Sequence, residues 1–184
     1  MIRKILIIAV FQICVVYQVC AGEIKSATVQ YQNGIYSISF EARLAAPQAD
    51  VYRIVTDYNQ LSRLNDMIDA SSLLTQPGHL PAKRKIIMHT CILFYCRRIT
   101  LIETVNEYNM NTVIAMVIPT ESDFEFGESN WQVISLNEQA TQLSLTSQLQ
   151  PKFWIPPVIG PWLIKKKMIR ELYVMVDRLE LLAN

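Results

Sequence analysis

Residues 161–184 read PWLIKKKMIRELYVMVDRLELLAN, a run with no glycine and no proline after Pro161. Trp162, Ile169, Leu172, Val176, Leu179 and Ala183 recur in it at helical spacing, so the segment predicts one amphipathic helix of about six turns. Such a helix must bury its apolar stripe against another element. The chain ahead of it supplies strands, because residues 85–91, 96–105, 112–118, 129–136 and 141–149 are rich in β-branched and aromatic residues. Short connections between them imply an antiparallel meander. The stripe then belongs on the concave face of that sheet, which makes an α+β domain with its helices on one side.

Further upstream, residues 25–44 hold two strand patterns separated by Asn33-Gly34, a dipeptide suited to a two-residue hairpin turn with positive φ. In the second arm Tyr36, Ile38, Phe40, Ala42 and Leu44 alternate with Ser37, Ser39, Glu41 and Arg43, the mark of a half-buried strand. Pro47 suits a helix first turn, and Val51, Ile54, Val55 and Tyr58 carry helical spacing to about residue 57. A short helical turn follows over residues 60–64. Next come a strand over 68–74 and a turn-rich loop through Pro77, Gly78 and Pro81.

The chain has 184 residues, 51% hydrophobic and 18% charged, which describes one packed domain and excludes disorder. A net charge of +1 gives no general pull toward nucleic acid, so none is expected as a partner. Residues 1–21, MIRKILIIAVFQICVVYQVCA, place Arg3 and Lys4 before an apolar run and end in small residues, the pattern of a signal peptide. Val19 and Ala21 fit the recognition positions for a cut before Gly22. Gln12 and Gln18 suit a membrane span less well. The expectation is an exported protein of the periplasm, with residues 22–184 as a single domain. The alternative is an uncleaved N-terminal anchor.

The order of these elements, and particular words within it, resemble the helix-grip fold of the START-like (SRPBCC) superfamily. AAPQADVYRIVTDYNQLSRLND over 45–66, NWQVISL over 130–136 and PKFWIPPVIGPWLIKKK over 151–167 are similar to the polyketide cyclase and coenzyme Q-binding branch. The resemblance covers nearly the whole chain after residue 21. It implies a long antiparallel sheet wrapped around a C-terminal amphipathic helix, with two short helices after the first long strand. It also implies an apolar cavity between sheet and helix that holds a hydrophobic small molecule or lipid. The side chains placed to line that cavity are Tyr52, Phe94, Trp131, Phe153, Trp154, Trp162 and Ile169.

Cys14 and Cys20 belong to the leader, which leaves Cys91 and Cys96 as the remaining pair. In one continuous strand their Cα atoms would lie about 16 Å apart, beyond bridging. A turn at 92–95 would oppose them within disulfide reach, as suits an oxidising compartment. The other reading is two buried thiols. Such a tip would carry Ile92, Leu93, Phe94 and Tyr95 with Arg97 and Arg98 behind them, a composition suited either to a membrane interface or to folding over the cavity. A second aromatic stretch, Phe153 to Trp162, leads into Lys165, Lys166 and Lys167, which oppose the dipole of a helix start. Anionic lipid or a solvated basic face would each account for them. Membrane docking is therefore expected through Leu93, Phe94, Tyr95, Arg97, Arg98, Lys165, Lys166 and Lys167.

Catalytic signals are weaker. His79 and His89 form no metal pattern, and no phosphate loop, dinucleotide fingerprint or nucleophile elbow occurs. Glu121, Asp123 and Glu125 read as a turn ahead of Gly127. No catalytic residue, metal or cofactor is assigned. The sequence points to an exported binding protein for a lipid or isoprenoid quinone, with a cyclase or dehydratase-like cavity enzyme and an envelope protein-interaction module as alternatives.

Overall fold

A computed structural model describes residues 22–92, 95–156 and 159–184. Residues 1–21, where a signal peptide is expected, and Leu93 and Phe94, expected in the tip, lie outside the described residues. The opening hairpin pairs β1 (Glu23–Gln32) with β2 (Ile35–Leu44). Asn33 and Gly34 have φ of 51° and 85°, the left-handed pair that such a turn requires. Next come α1 (Gln48–Val55) and a single 3₁₀ turn, Leu61–Arg63. Six strands then run as a meander: β3 (Ile68–Leu73), β4 (Ala82–Ile92), β5 (Tyr95–Tyr108), β6 (Thr112–Val117), β7 (Phe124–Asn137) and β8 (Ala140–Pro151). The chain ends in α2 (Gly160–Ala183).

The sheet order is β1-β2-β8-β7-β6-β5-β4-β3, with every neighbouring pair antiparallel. The opening hairpin thus joins the far edge of the meander through β2 and β8. Several strands outrun their sequence patterns. β4 starts at Ala82, β5 continues to Tyr108, and β7 starts at Phe124 because Phe124 is buried and enters the core. The turn expected near 121–127 is confined to a 3₁₀ turn at Pro119–Glu121 and the residues just after it.

The core lies between the concave face of the sheet and α2. Phe40, Ala42 and Leu44 from β2 and Leu143 and Leu145 from β8 meet Leu172, Met175, Val176 and Leu179 from α2. Glu180 fixes the far end of that helix: its Oε2 accepts the Gly22 N–H and its Oε1 the Ala45 N–H, both at 2.6 Å. The expected stripe holds at Leu172, Val176 and Leu179. It fails at Trp162, which is 61% exposed where the first turn of α2 projects past the core.

Candidate functional site

On β5, Ile99, Leu101 and Val105 are buried on the concave face, and strand alternation puts Glu103 and Glu107 there too. Arg84 is paired with Glu103 across the ladder, and its Nε donates to Glu103 Oε2 at 2.8 Å. Both side chains are buried. The Arg84 guanidinium also lies 5.2 Å from the centre of the Tyr58 ring. Four residues along, Glu107 accepts two phenols at 2.8 Å each, Tyr52 on Oε2 and Tyr58 on Oε1. Burial first, and then the Glu107 carboxylate, push both phenols well above the usual tyrosine range. They therefore act as neutral donors at physiological pH. The result is a polar layer of one cation, two carboxylates and two phenols inside an apolar core.

Against this layer lies a cavity of about 130 Å³, bordered by Arg84 with Leu61, Leu64, Ile68, Ile86, Trp131 and Met175. It sits between sheet and C-terminal helix, as expected. It is small beside ligand pockets, which begin near about 300 Å³.

One wall of the cavity, the segment from the 3₁₀ turn to β3, is clasped by α2. Buried Glu171 accepts the Asp66 N–H at 3.2 Å on Oε2 and an Arg170 N–H at 2.6 Å on Oε1. Arg178 pairs with Asp66 and donates to the Arg63 carbonyl. A larger groove of about 490 Å³ lies on the sheet, bordered by Ser37, Glu128, Asn130, Thr146 and Gln148. These residues have the opposite strand parity to the core, so the groove is on the outer face. Most of its side chains are polar, with Ile38 and Ile114 among them, and it lies away from the core.

The other candidates divide. Tyr52 joins the polar layer and Trp131 lines the cavity. Phe153 is half-buried, edge-on to Phe124 at 6.1 Å, with the Arg97 guanidinium 5.0 Å from its ring centre. Ile169 is half-buried on α2. Trp154 and Trp162 are 67% and 61% exposed and do not line the cavity, since both precede the part of α2 that covers the sheet.

Cys91 and Cys96 are directly paired and form a disulfide. The ladder runs one residue further than expected, to Ile92 and Tyr95. Arg97 pairs with Asp123 at 3.3 Å, and Asp123 also accepts the Thr100 N–H at 2.7 Å, which makes Asp123 a staple between β5 and the start of β7. Arg98 is exposed. His89 faces outward, paired with Asp69 at 2.5 Å. On α2, Lys166 lies 5.5 Å from the Trp162 ring centre and Lys167 donates to Thr90 Oγ1 at 3.4 Å, while Lys165 is half-exposed. Sequence reasoning missed Arg84, Glu103, Glu107 and Tyr58, although the two glutamates share the parity of Leu101 and Val105.

The model of the family described as polyketide cyclase / dehydrase and lipid transport matches residues 36–180, the span from β2 through almost all of α2. The chain belongs to that family. Among solved structures it is similar to a START superfamily protein from Mycobacterium smegmatis, at 20% identity and a TM-score of 0.63, over 80% of this chain and 96% of that one. The Zhui aromatase/cyclase from Streptomyces aligns at 12% identity and a TM-score of 0.62, over 81% and 93%. A STAR-related lipid transfer protein from Xanthomonas axonopodis aligns at 14% identity and a TM-score of 0.58, over 84% and 96%. No curated protein matches the sequence. These likenesses establish the START-like fold. The disulfide fits an oxidising compartment, and no helix among the described residues is long and apolar enough to cross a membrane.

Proposed function

We propose that the protein is an exported carrier for a hydrophobic molecule with one polar end, of the lipid or isoprenoid-quinone type, exchanged at a membrane surface. The observation that carries this reading is the position of Arg84, only 7% exposed and bordering a cavity whose other lining is apolar apart from Asn65 and the Trp131 indole N–H. Glu103 neutralises its charge through Nε. A guanidinium has five N–H donors, so further donors remain for a carbonyl, hydroxyl or carboxylate on the cargo. The apolar body of the cargo would lie against Leu61, Leu64, Ile86 and Met175. Loading would enlarge the cavity by parting the segment over 61–68 from α2. The leader pattern and the disulfide support export, and the lipid transfer protein among the structural neighbours supports a lipid cargo.

A second reading, a cyclase-type enzyme, is favoured by the Tyr52 and Tyr58 phenols gathered on Glu107 beside Arg84, which would present donors to a ketone. Titration of residues 22–184 with a dansyl-labelled fatty acid tests the carrier reading. Saturable fluorescence enhancement is expected, with affinity at least about tenfold weaker in Arg84→Met/Glu103→Leu, since a hydrogen bond to a charged group contributes about 1.5–3 kcal/mol. No enhancement, or equal affinity in the variant, would contradict it.

A further inference from the structure

Large aromatic side chains ordinarily add most to stability when buried. At one end of this molecule two indoles and an aliphatic side chain are not buried: Trp154 is 67%, Trp162 61% and Ile159 44% exposed. The next charged residue after each of them is Lys165. From Lys152 to Arg170 the sequence holds five cations and no aspartate or glutamate. The solvent-facing stripe of α2 opens with Trp162, Lys166, Arg170 and Tyr173 and meets its first acid only at Asp177. Lys166 lies 5.5 Å from the Trp162 ring centre, an arrangement in which ring and cation attract. These lysines sit in the second turn of α2, beyond the reach of its dipole, so no helix-end stabilisation accounts for them. Two contacts bring the basic β4–β5 hairpin alongside: Lys167 reaches Thr90, and Arg97 stacks on Phe153.

We propose that this end, built on Trp154, Ile159, Trp162, Lys165 and Lys166, is a docking surface for an anionic phospholipid bilayer. Indoles settle at the headgroup level of a bilayer, with their apolar faces toward the acyl chains. Lysine stems lie along apolar surface while their ammonium groups reach out to anionic headgroups. The charge pattern fits only a negatively charged occupant, and exposed indoles mixed with lysines have the composition of a membrane belt rather than of a protein interface, where lysine is depleted. The proposal rests on the carrier reading for its purpose, yet vesicle binding is measured independently of cargo.

The test is co-sedimentation of residues 22–184, which contain every described element, with sucrose-loaded vesicles. Phosphatidylcholine containing about one-third phosphatidylglycerol is compared with phosphatidylcholine alone. Wild type should pellet with the anionic vesicles and not with the neutral ones. Lys165→Ala/Lys166→Ala should weaken binding roughly fivefold per lysine. Trp154→Ser/Trp162→Ser should weaken it at least about tenfold, with thermal melts unchanged because these side chains are exposed. Wild type that fails to pellet, or equal pelleting by all three proteins, overturns the proposal and leaves an acidic protein as the occupant. Arg84→Met/Glu103→Leu separates the two readings. If it loses cargo but still pellets, the surface stands; if it alone loses vesicle binding, the surface assignment falls.

Discussion

Arg84 and Glu103 face each other directly across the β4–β5 ladder, with Nε and Oε2 at 2.8 Å and both side chains turned into the core beneath α2. A buried ion pair is seldom a source of stability, because desolvation of two charges offsets most of their attraction. Its position beside the cavity gives it another use: it holds a guanidinium in a largely apolar chamber without leaving the charge uncompensated.

That balance predicts an asymmetry between single and double variants. Glu103→Leu strands the Arg84 cation in the core and should cost about 3–5 kcal/mol. Arg84→Met/Glu103→Leu removes both charges and should recover most of that loss. Urea denaturation of the two variants checks it. A double variant no more stable than Glu103→Leu would contradict it.

The clasp between α2 and residues 63–66 should govern loading. Arg178 and Asp66 are partly solvent-exposed, so Arg178→Met should cost at most about 1 kcal/mol of stability. It should nevertheless speed uptake of the dansyl-labelled fatty acid several-fold, because the segment must part from α2 before cargo enters. Stopped-flow mixing reads the rate, and an unchanged rate would place the entrance elsewhere.

Tyr52 and Tyr58 give the fold an alkaline limit. Their folded-state ionisation is pushed far above the unfolded value of about 10. Above pH of about 10 the unfolded chain loses these protons while the folded chain keeps them, so stability falls as pH rises, by up to about 1.4 kcal/mol per pH unit for each group. Below that value their contribution is fully present. Tyr58→Phe should flatten the decline in denaturation curves taken on either side of pH 10; an unaltered slope would show that Tyr58 is not shielded.

Much of this architecture was legible in the sequence. Asn33-Gly34 named its turn through the φ values that it permits, and the alternation in residues 36–44 named the buried face of β2. Reach allowed a disulfide only if the chain reversed between Cys91 and Cys96, one of the two readings that the sequence left open, and the β4–β5 pairing is that one. The polar layer was not legible in the same way. Glu103 and Glu107 look like solvent residues, and only their parity with Leu101 and Val105 marks them as inward, a signal that a search for outward polar positions overrides. Trp154 and Trp162 misled in the opposite direction, because the general tendency of indoles to be buried says nothing about a helix start that projects beyond its sheet. Cavity size was hidden as well, since it depends on how Arg84, Trp131 and Met175 fill one space from three separate elements.

The most direct test of the carrier account is mass spectrometry of an organic extract from the protein, purified natively after export and without detergent. The account predicts one dominant hydrophobic species with a single polar end, near stoichiometric with the protein and depleted in Arg84→Met/Glu103→Leu. An empty extract from folded protein that also takes up no added lipid would contradict it and would favour the cyclase-type enzyme.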